Sequence, residues 1–204
     1  MFYKFFIISL IIFNLAILNT KSFSAGIEID YPKINWSFSG LFGTFDKASA
    51  QRGFQVYREV CSGCHGMRLL SYRNLGALGY NQDELKALAS QFEINDGPND
   101  EGEFFTRPAR PSDKFVSPYP NQQAARAANG GAYPPDLSLI VKARSKGADY
   151  LNALLMGYQN PPKGTKVPEG MYYNKYYSGN LIAMPQPLYE DGVEYLDGTK
   201  ATEK

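Results

Sequence analysis

The sequence predicts a mainly α domain with long loops, and three observations carry that expectation. Short helical patterns recur along the 204 residues, and the last three are stopped by Gly. Between them, residues 96–120 and 159–187 are rich in turn formers, drawn from 19 Gly and 13 Pro in the whole chain. No internal repeat and no β-sandwich rhythm of alternating apolar residues interrupts this pattern. With 15 Tyr and 13 Phe, the domain is expected to pack on aromatics.

The elements follow in chain order. Met1 to Lys4 is basic, residues 5–18 are apolar except for Ser9 and Asn14, and residues 19–25 are polar and small. That is the order of a secretory leader. Cleavage after Ser24 leaves the small residues Ser22 and Ser24 at the third-last and last positions. Residues 1–24 are therefore read as a signal peptide and 25–204 as one mature domain. The competing reading is an uncleaved N-terminal anchor, but its apolar run is short of the roughly 20 residues that span a bilayer. The full chain carries a net charge of +1, and losing Lys4 and Lys21 with the leader brings it to about −1. Neither value suggests a nucleic-acid partner.

Residues 25–45 are aromatic and irregular. Residues 46–60 predict a helix with Phe54, Tyr57 and Val60 on one face. That helix runs into Cys61-Ser62-Gly63-Cys64-His65, which uses both cysteines and the single histidine of the chain. The Cys-x-x-Cys-His spacing is that of c-type haem attachment. Two thiols two residues apart can bond to the two vinyl groups of one haem, and the next residue can give an imidazole nitrogen to the iron. A structural zinc site needs four ligands, and there is no third cysteine or second histidine. A thioredoxin-like dithiol belongs in a βαβ context, which the flanks lack.

Residues 81–92 predict a helix capped by Asn81 and Glu84, with Leu85, Leu88 and Phe92 on one face. A loop over 96–120 follows, then a short helix over 121–129 stopped by Gly130-Gly131. A helix over 136–146 is expected after Pro134-Pro135, capped by Asp136 and ending at Gly147. Another spans 149–156 and stops at Gly157. Residues 159–187 read as loop.

A second axial ligand cannot be histidine, so methionine is the next candidate. Met67 lies two residues past His65 and is tethered on the wrong side of the iron. Met156 sits in an apolar helix, where core filling is the default. Met171 lies in a polar loop. Met184 lies late in the chain, stiffened by Pro185. The alternative for Met184 is simple packing against an aromatic.

The run Gly53-Phe54-Gln55-Val56-Tyr57-Arg58-Glu59-Val60-Cys61, with Cys64-His65 and Tyr72-Arg73-Asn74-Leu75, resembles the cytochrome c1 family. So do Asp96-Gly97-Pro98-Asn99, Arg107-Pro108, Tyr119-Pro120-Asn121 and Ala124-Ala125-Arg126. Pro134-Pro135-Asp136-Leu137-Ser138, Gly147-Ala148-Asp149-Tyr150 and Ala183-Met184-Pro185 continue the match in order. The resemblance implies a cytochrome c-type haem domain with one covalent haem c bonded to Cys61 and Cys64. It implies His65 and Met184 as axial ligands to iron, and Arg144 and Tyr150 near a haem propionate. The plain readings of the last two are a solvated helix charge and a core aromatic. Tyr133 departs from the family, where Leu would be expected before the Pro-Pro pair.

By the same resemblance the chain is an electron-relay subunit of the quinol–cytochrome c oxidoreductase, the bc1 complex, with no catalytic residues of its own. Its partners would be cytochrome b and the Rieske iron–sulfur protein, with cytochrome c as electron acceptor. Its place would be the periplasmic face of a bacterial inner membrane, or the equivalent outer face of the mitochondrial one. Family members continue into a further helix and a C-terminal membrane anchor. Here the last residues to Lys204 are polar, so a haem domain lacking that helix and anchor is expected, held to the membrane through the complex. Three explanations stay open: a fragment of a longer chain, a truncated gene, or an N-terminal segment retained as a substitute tether. Two other classes compete: a free periplasmic c-type carrier, and a haem-based ligand sensor in which Met184 is labile. The carboxylates Asp96, Asp100, Glu101 and Glu103 could steer a basic cytochrome c, or form an ordinary solvated loop.

Overall fold

The computed structural model describes residues 29–201, so the leader expected over 1–24 lies outside the described residues. Helix α1 spans Lys47–Val56 and starts where Asp46 accepts hydrogen bonds from the backbone N–H groups of Ala48 and Ser49. It turns without a break into a wider π turn, Tyr57–Cys61, as expected for a helix leading into the cysteine motif. Phe54 and Tyr57 face inward.

A 3₁₀ helix, Tyr72–Leu78, follows and was not foreseen. It closes at Gly79, whose φ of 105° suits glycine because it has no Cβ. Helix α2, Gln82–Ala89, carries the expected cap: Asn81 Oδ1 accepts from Asp83 and Glu84 N–H, while Glu84 accepts from Asn81 N–H. It buries Leu85, Leu88 and Ala89. The core forms where α1, the 3₁₀ helix and α2 meet around Phe115. Tyr72, 1% exposed, stacks on Phe115 with ring centroids 4.8 Å apart and on Phe92 at 5.1 Å.

The stretch expected as a loop over 96–120 holds half of a hairpin. Strand β1, Glu93–Asp96, pairs antiparallel with β2, Phe105–Pro108. Neither strand alternates strongly, so periodicity gave no warning. What holds the register is ionic: the Arg107 guanidinium binds Asp96 across the ladder and Asp113 at 2.7 Å beyond it. The hairpin tip presents Asp100, Glu101 and Glu103 to solvent.

Helix α3, Gln122–Ala128, is capped by Asn121 and ends before Gly130 as expected. The helix expected over 136–146 shrinks to a single turn, α4, Ile140–Ala143. The polar groups of 136–138 are used elsewhere, as described below. Helix α5, Ala148–Met156, buries Ala153 and Leu154. A two-residue ladder, β3 (Tyr172–Tyr173) against β4 (Leu181–Ile182), ends the regular structure.

Both ends of the described stretch are tied to this frame. Asp149 accepts from Trp36 Nε1 at 2.7 Å and from Ile34 N at 3.2 Å, so residues 31–38 strap the start of α5. Arg52 pairs with Asp197 at 2.8 Å, and Gln55 Nε2 donates to the Glu194 carbonyl at 2.8 Å. Among the described residues, no helix is long and apolar enough to cross a membrane.

Candidate functional site

The site starts where the π turn ends. His65 N–H donates to the Cys61 carbonyl at 2.8 Å and Cys64 N–H to the same carbonyl at 3.1 Å. This tight turn holds both sulfurs and the imidazole in one short segment. Both cysteines are free thiols, Cys61 half-buried and Cys64 exposed. Burial pushes the Cys61 thiol pKa up, and the neighbouring Cys64 adds to that. The Tyr119 hydroxyl lies 4.0 Å from Cys64 Sγ.

His65 Nδ1 lies 2.8 Å from the Pro135 carbonyl oxygen. A carbonyl can only accept, so Nδ1 carries a proton, and in the neutral ring that leaves Nε2 with the lone pair. The Tyr57 hydroxyl donates to the His65 carbonyl at 3.1 Å. The residue is thus held at its backbone carbonyl and at Nδ1, the ring nitrogen nearer the backbone, which leaves Nε2 facing away. Metal-binding imidazoles are usually held this way, through the nitrogen that does not bind the metal.

Pro135 stays in position because residues 136–138 lock onto the motif. Leu137 N–H donates to the Gly66 carbonyl at 2.8 Å, Arg68 N–H to Asp136 Oδ2 at 2.9 Å and Leu69 N–H to Ser138 Oγ at 3.1 Å. Ser138 N–H donates to Asp136 Oδ1 at 2.9 Å. Burial pushes the Asp136 carboxyl up, but its bonds to Ser138 and Arg68 outweigh that and hold it below the ordinary value. This is why Asp136 does not cap a long helix.

Of the methionines, Met67 packs against the core. Met156 is 40% exposed at the end of α5, not the core filler its apolar surroundings predicted. It is the last residue of α5, less than a turn beyond the buried Ala153 and Leu154. Met171 is half-buried in its loop. Met184 is half-buried two residues past β4, and its carbonyl accepts from the Tyr158 hydroxyl at 2.9 Å. Burial, with Tyr172 and Tyr189 nearby, pushes the Tyr158 hydroxyl well above the ordinary tyrosine value.

Arg144 and Tyr150 flank the left-handed turn at Lys146 and Gly147, with φ of 66° and 51°. Arg144 is exposed, and among the described residues its Nη1 donates to the adjacent Ala143 carbonyl at 3.3 Å. Tyr150 is half-buried and meets Tyr31 edge-on at 5.5 Å. At Tyr133, the residue that departs from expectation, the ring lies under the Arg126 guanidinium at 5.6 Å.

The structure thus brings Cys61, Cys64 and His65 together with Pro135, gathers Arg144 and Tyr150 at one end of α5, and ties Met184 to the other. Two thiols, an imidazole with a free Nε2 and a thioether are the donors that a c-type haem takes. Among the described residues there is no cluster of three or more His, Cys, Asp or Glu for a bare metal ion. Tyr57, Pro135 and Tyr158 were missed by sequence reasoning. Tyr57 was read only as a core residue, and nothing local marks the other two as partners of the site.

The family profile described as "Cytochrome C1 family" matches residues 36–204. The chain belongs to the cytochrome c1 family. A mitochondrial cytochrome c1 haem protein of Solanum tuberosum is 53% identical over 175 residues, 86% of this chain and 67% of the relative. A mitochondrial cytochrome b-c1 complex catalytic subunit of Candida albicans is 54% identical over 172 residues, 84% of this chain and 60% of the relative. A cytochrome c1 of Rhodospirillum rubrum is 48% identical over 186 residues, 83% of this chain and 68% of the relative. The matched stretch spans 57% and 55% of two further plant cytochrome c1 proteins. Helices, loops and a few short strands agree with the mainly α class read from the sequence. The profile match begins at Trp36, so it takes in the cysteine motif and the last three residues of the strap, 36–38.

Proposed function

We propose that this cytochrome c1 family chain holds one covalent haem c and serves as the electron-relay subunit of a respiratory bc1 complex. The observation that carries the reading is the 2.8 Å contact between His65 Nδ1 and the Pro135 carbonyl, on a turn that also offers two free thiols. Cys61 and Cys64 would bond the haem, His65 Nε2 and the Met184 sulfur would fill the two axial positions, and Arg144 and Tyr150 would donate to a propionate. Bound there, the haem supplies one-electron chemistry at an iron that alternates between ferrous and ferric.

The chain's own residues set the conditions for that chemistry. The Pro135 contact restrains rotation of the imidazole, and the Tyr57 bond holds the backbone that carries it. The Met184 thioether favours ferrous iron and raises the potential. Held by both His65 and Met184, the iron would have no position left for a substrate, which suits a relay better than a ligand sensor.

In this reading the donor is the Rieske iron–sulfur protein, the acceptor is a cytochrome c, and cytochrome b holds the subunit to the membrane. The site would lie at the periplasmic face of a bacterial inner membrane or the equivalent mitochondrial face. The naming of the Candida albicans relative as a b-c1 complex subunit supports complex membership.

The test is a denaturing gel of membranes expressing the chain, stained for haem peroxidase activity. A stained band at the size of the chain is expected, absent in Cys61→Ala with Cys64→Ala. Loss of stain from the unmutated chain would overturn covalent attachment. Failure of cytochrome b to co-purify would overturn complex membership.

A further inference from the structure

We infer that Tyr158 is a positioning residue for Met184, fixing the backbone from which the thioether reaches the iron. This rests on the reading of Met184 as an axial ligand. A methionine side chain has three rotatable bonds and adapts to its surroundings. A weak thioether donor therefore depends on how firmly its backbone is held. Pro185 restricts Met184 from one side. On the other side the ladder that delivers it, β4, is only Leu181–Ile182. So short a strand pair does not hold a loop by itself.

The missing rigidity comes from the end of α5. Asn174, 0% exposed, donates through Nδ2 to the Leu154 carbonyl at 2.7 Å and accepts at Oδ1 from Tyr176 N–H at 3.0 Å. Its own N–H donates to the Asn180 carbonyl at 2.8 Å, which closes the turn between β3 and β4. Lys175 N–H donates to the Gly157 carbonyl at 2.9 Å. The fit at Gly157 leaves no room for a side chain, since a Cβ there would lie 2.5 Å from Asn174 Oδ1.

Tyr158 stands next to this joint and bridges to Asn174 in the antiparallel sense. From there its hydroxyl crosses to the Met184 carbonyl at 2.9 Å, 26 residues on. The hydroxyl is the only part of Tyr158 that the bond needs. Its removal leaves the ring to pack as before.

The experiment compares haem-loaded full chains carrying Tyr158→Phe, Tyr189→Phe and Met184→Leu with the unmutated protein. All should keep covalent haem on a stained gel. Tyr158→Phe is expected to weaken the long-wavelength thioether-to-iron charge-transfer band and lower the reduction potential. It should also raise the carbon-monoxide-binding fraction of ferrous protein roughly three- to tenfold, the worth of one neutral hydrogen bond. Tyr189→Phe, a hydroxyl deletion nearby that spares this bond, should match the unmutated protein. Met184→Leu should lose the band outright.

A Tyr158→Phe protein with unchanged band, potential and carbon monoxide binding would overturn the inference, even if it melted earlier. Met184 ligation would still stand if Met184→Leu lost the band. An unchanged Met184→Leu would instead remove the ligation reading, and the role of Tyr158 with it.

Discussion

The Arg107 guanidinium is the ionic hinge of the hairpin, with Asp96 on one side and Asp113 on the other. Its hydrogen bonds hold both carboxyls below their ordinary values. A carboxyl with a lowered folded pKa stabilises the fold only while it is ionised. As pH falls the unfolded chain takes up protons first, so this contribution is full above about pH 5 and drains progressively below it. Asp113→Asn removes one of the titrating partners. The variant should be less stable at neutral pH and lose less on acidification, so that the two melting curves converge as pH drops. Parallel pH dependences would contradict this. At this scale the sequence was legible where chemistry is local. Cys61, Cys64 and His65 announce themselves by spacing. Pro135 does not, because its contact with His65 spans 70 residues and uses a backbone carbonyl that every residue has.

Among the elements, α2 shows how a local signal survives folding. Asn81 and Glu84 satisfy each other's backbone donors, and both partners lie within one turn. Asn81→Ala should cost about 1 kcal/mol in chemical denaturation. A change below a few tenths would mean the cap is not holding the helix. The helix expected over 136–146 failed for the opposite reason. Asp136 and Ser138 found acceptor roles toward Arg68 and Leu69 N–H, and a hydrogen bond used across the fold is not available along a helix. The hairpin of β1 and β2 was hidden because its strands are short and mostly polar, with Ile94 alone packing on the core and Arg107 supplying the ionic contacts.

At the scale of the whole molecule, the strap of residues 31–38 hangs on one carboxylate. Trp36, the single tryptophan, donates its indole N–H to Asp149. Asp149→Ala should free the indole, shift its emission to the red and speed proteolysis between residues 31 and 45. Emission and cleavage equal to those of the unmutated chain would show that the aromatic contacts of Tyr31 with Tyr150 and Tyr176 hold the strap unaided.

The buried cluster around Phe115 draws its members from residues 54–115, while the supports of Met184 come from residues 154–182. A polypeptide threaded through a pore with its N-terminus leading would deliver the first group complete while the second was still inside. During that interval the cysteine turn would have its Tyr57 brace but not yet its Pro135 partner, and Met184 would not have emerged. The order of residues along the chain would then also be an order of assembly, with the Phe115 cluster first and the supports of Met184 last.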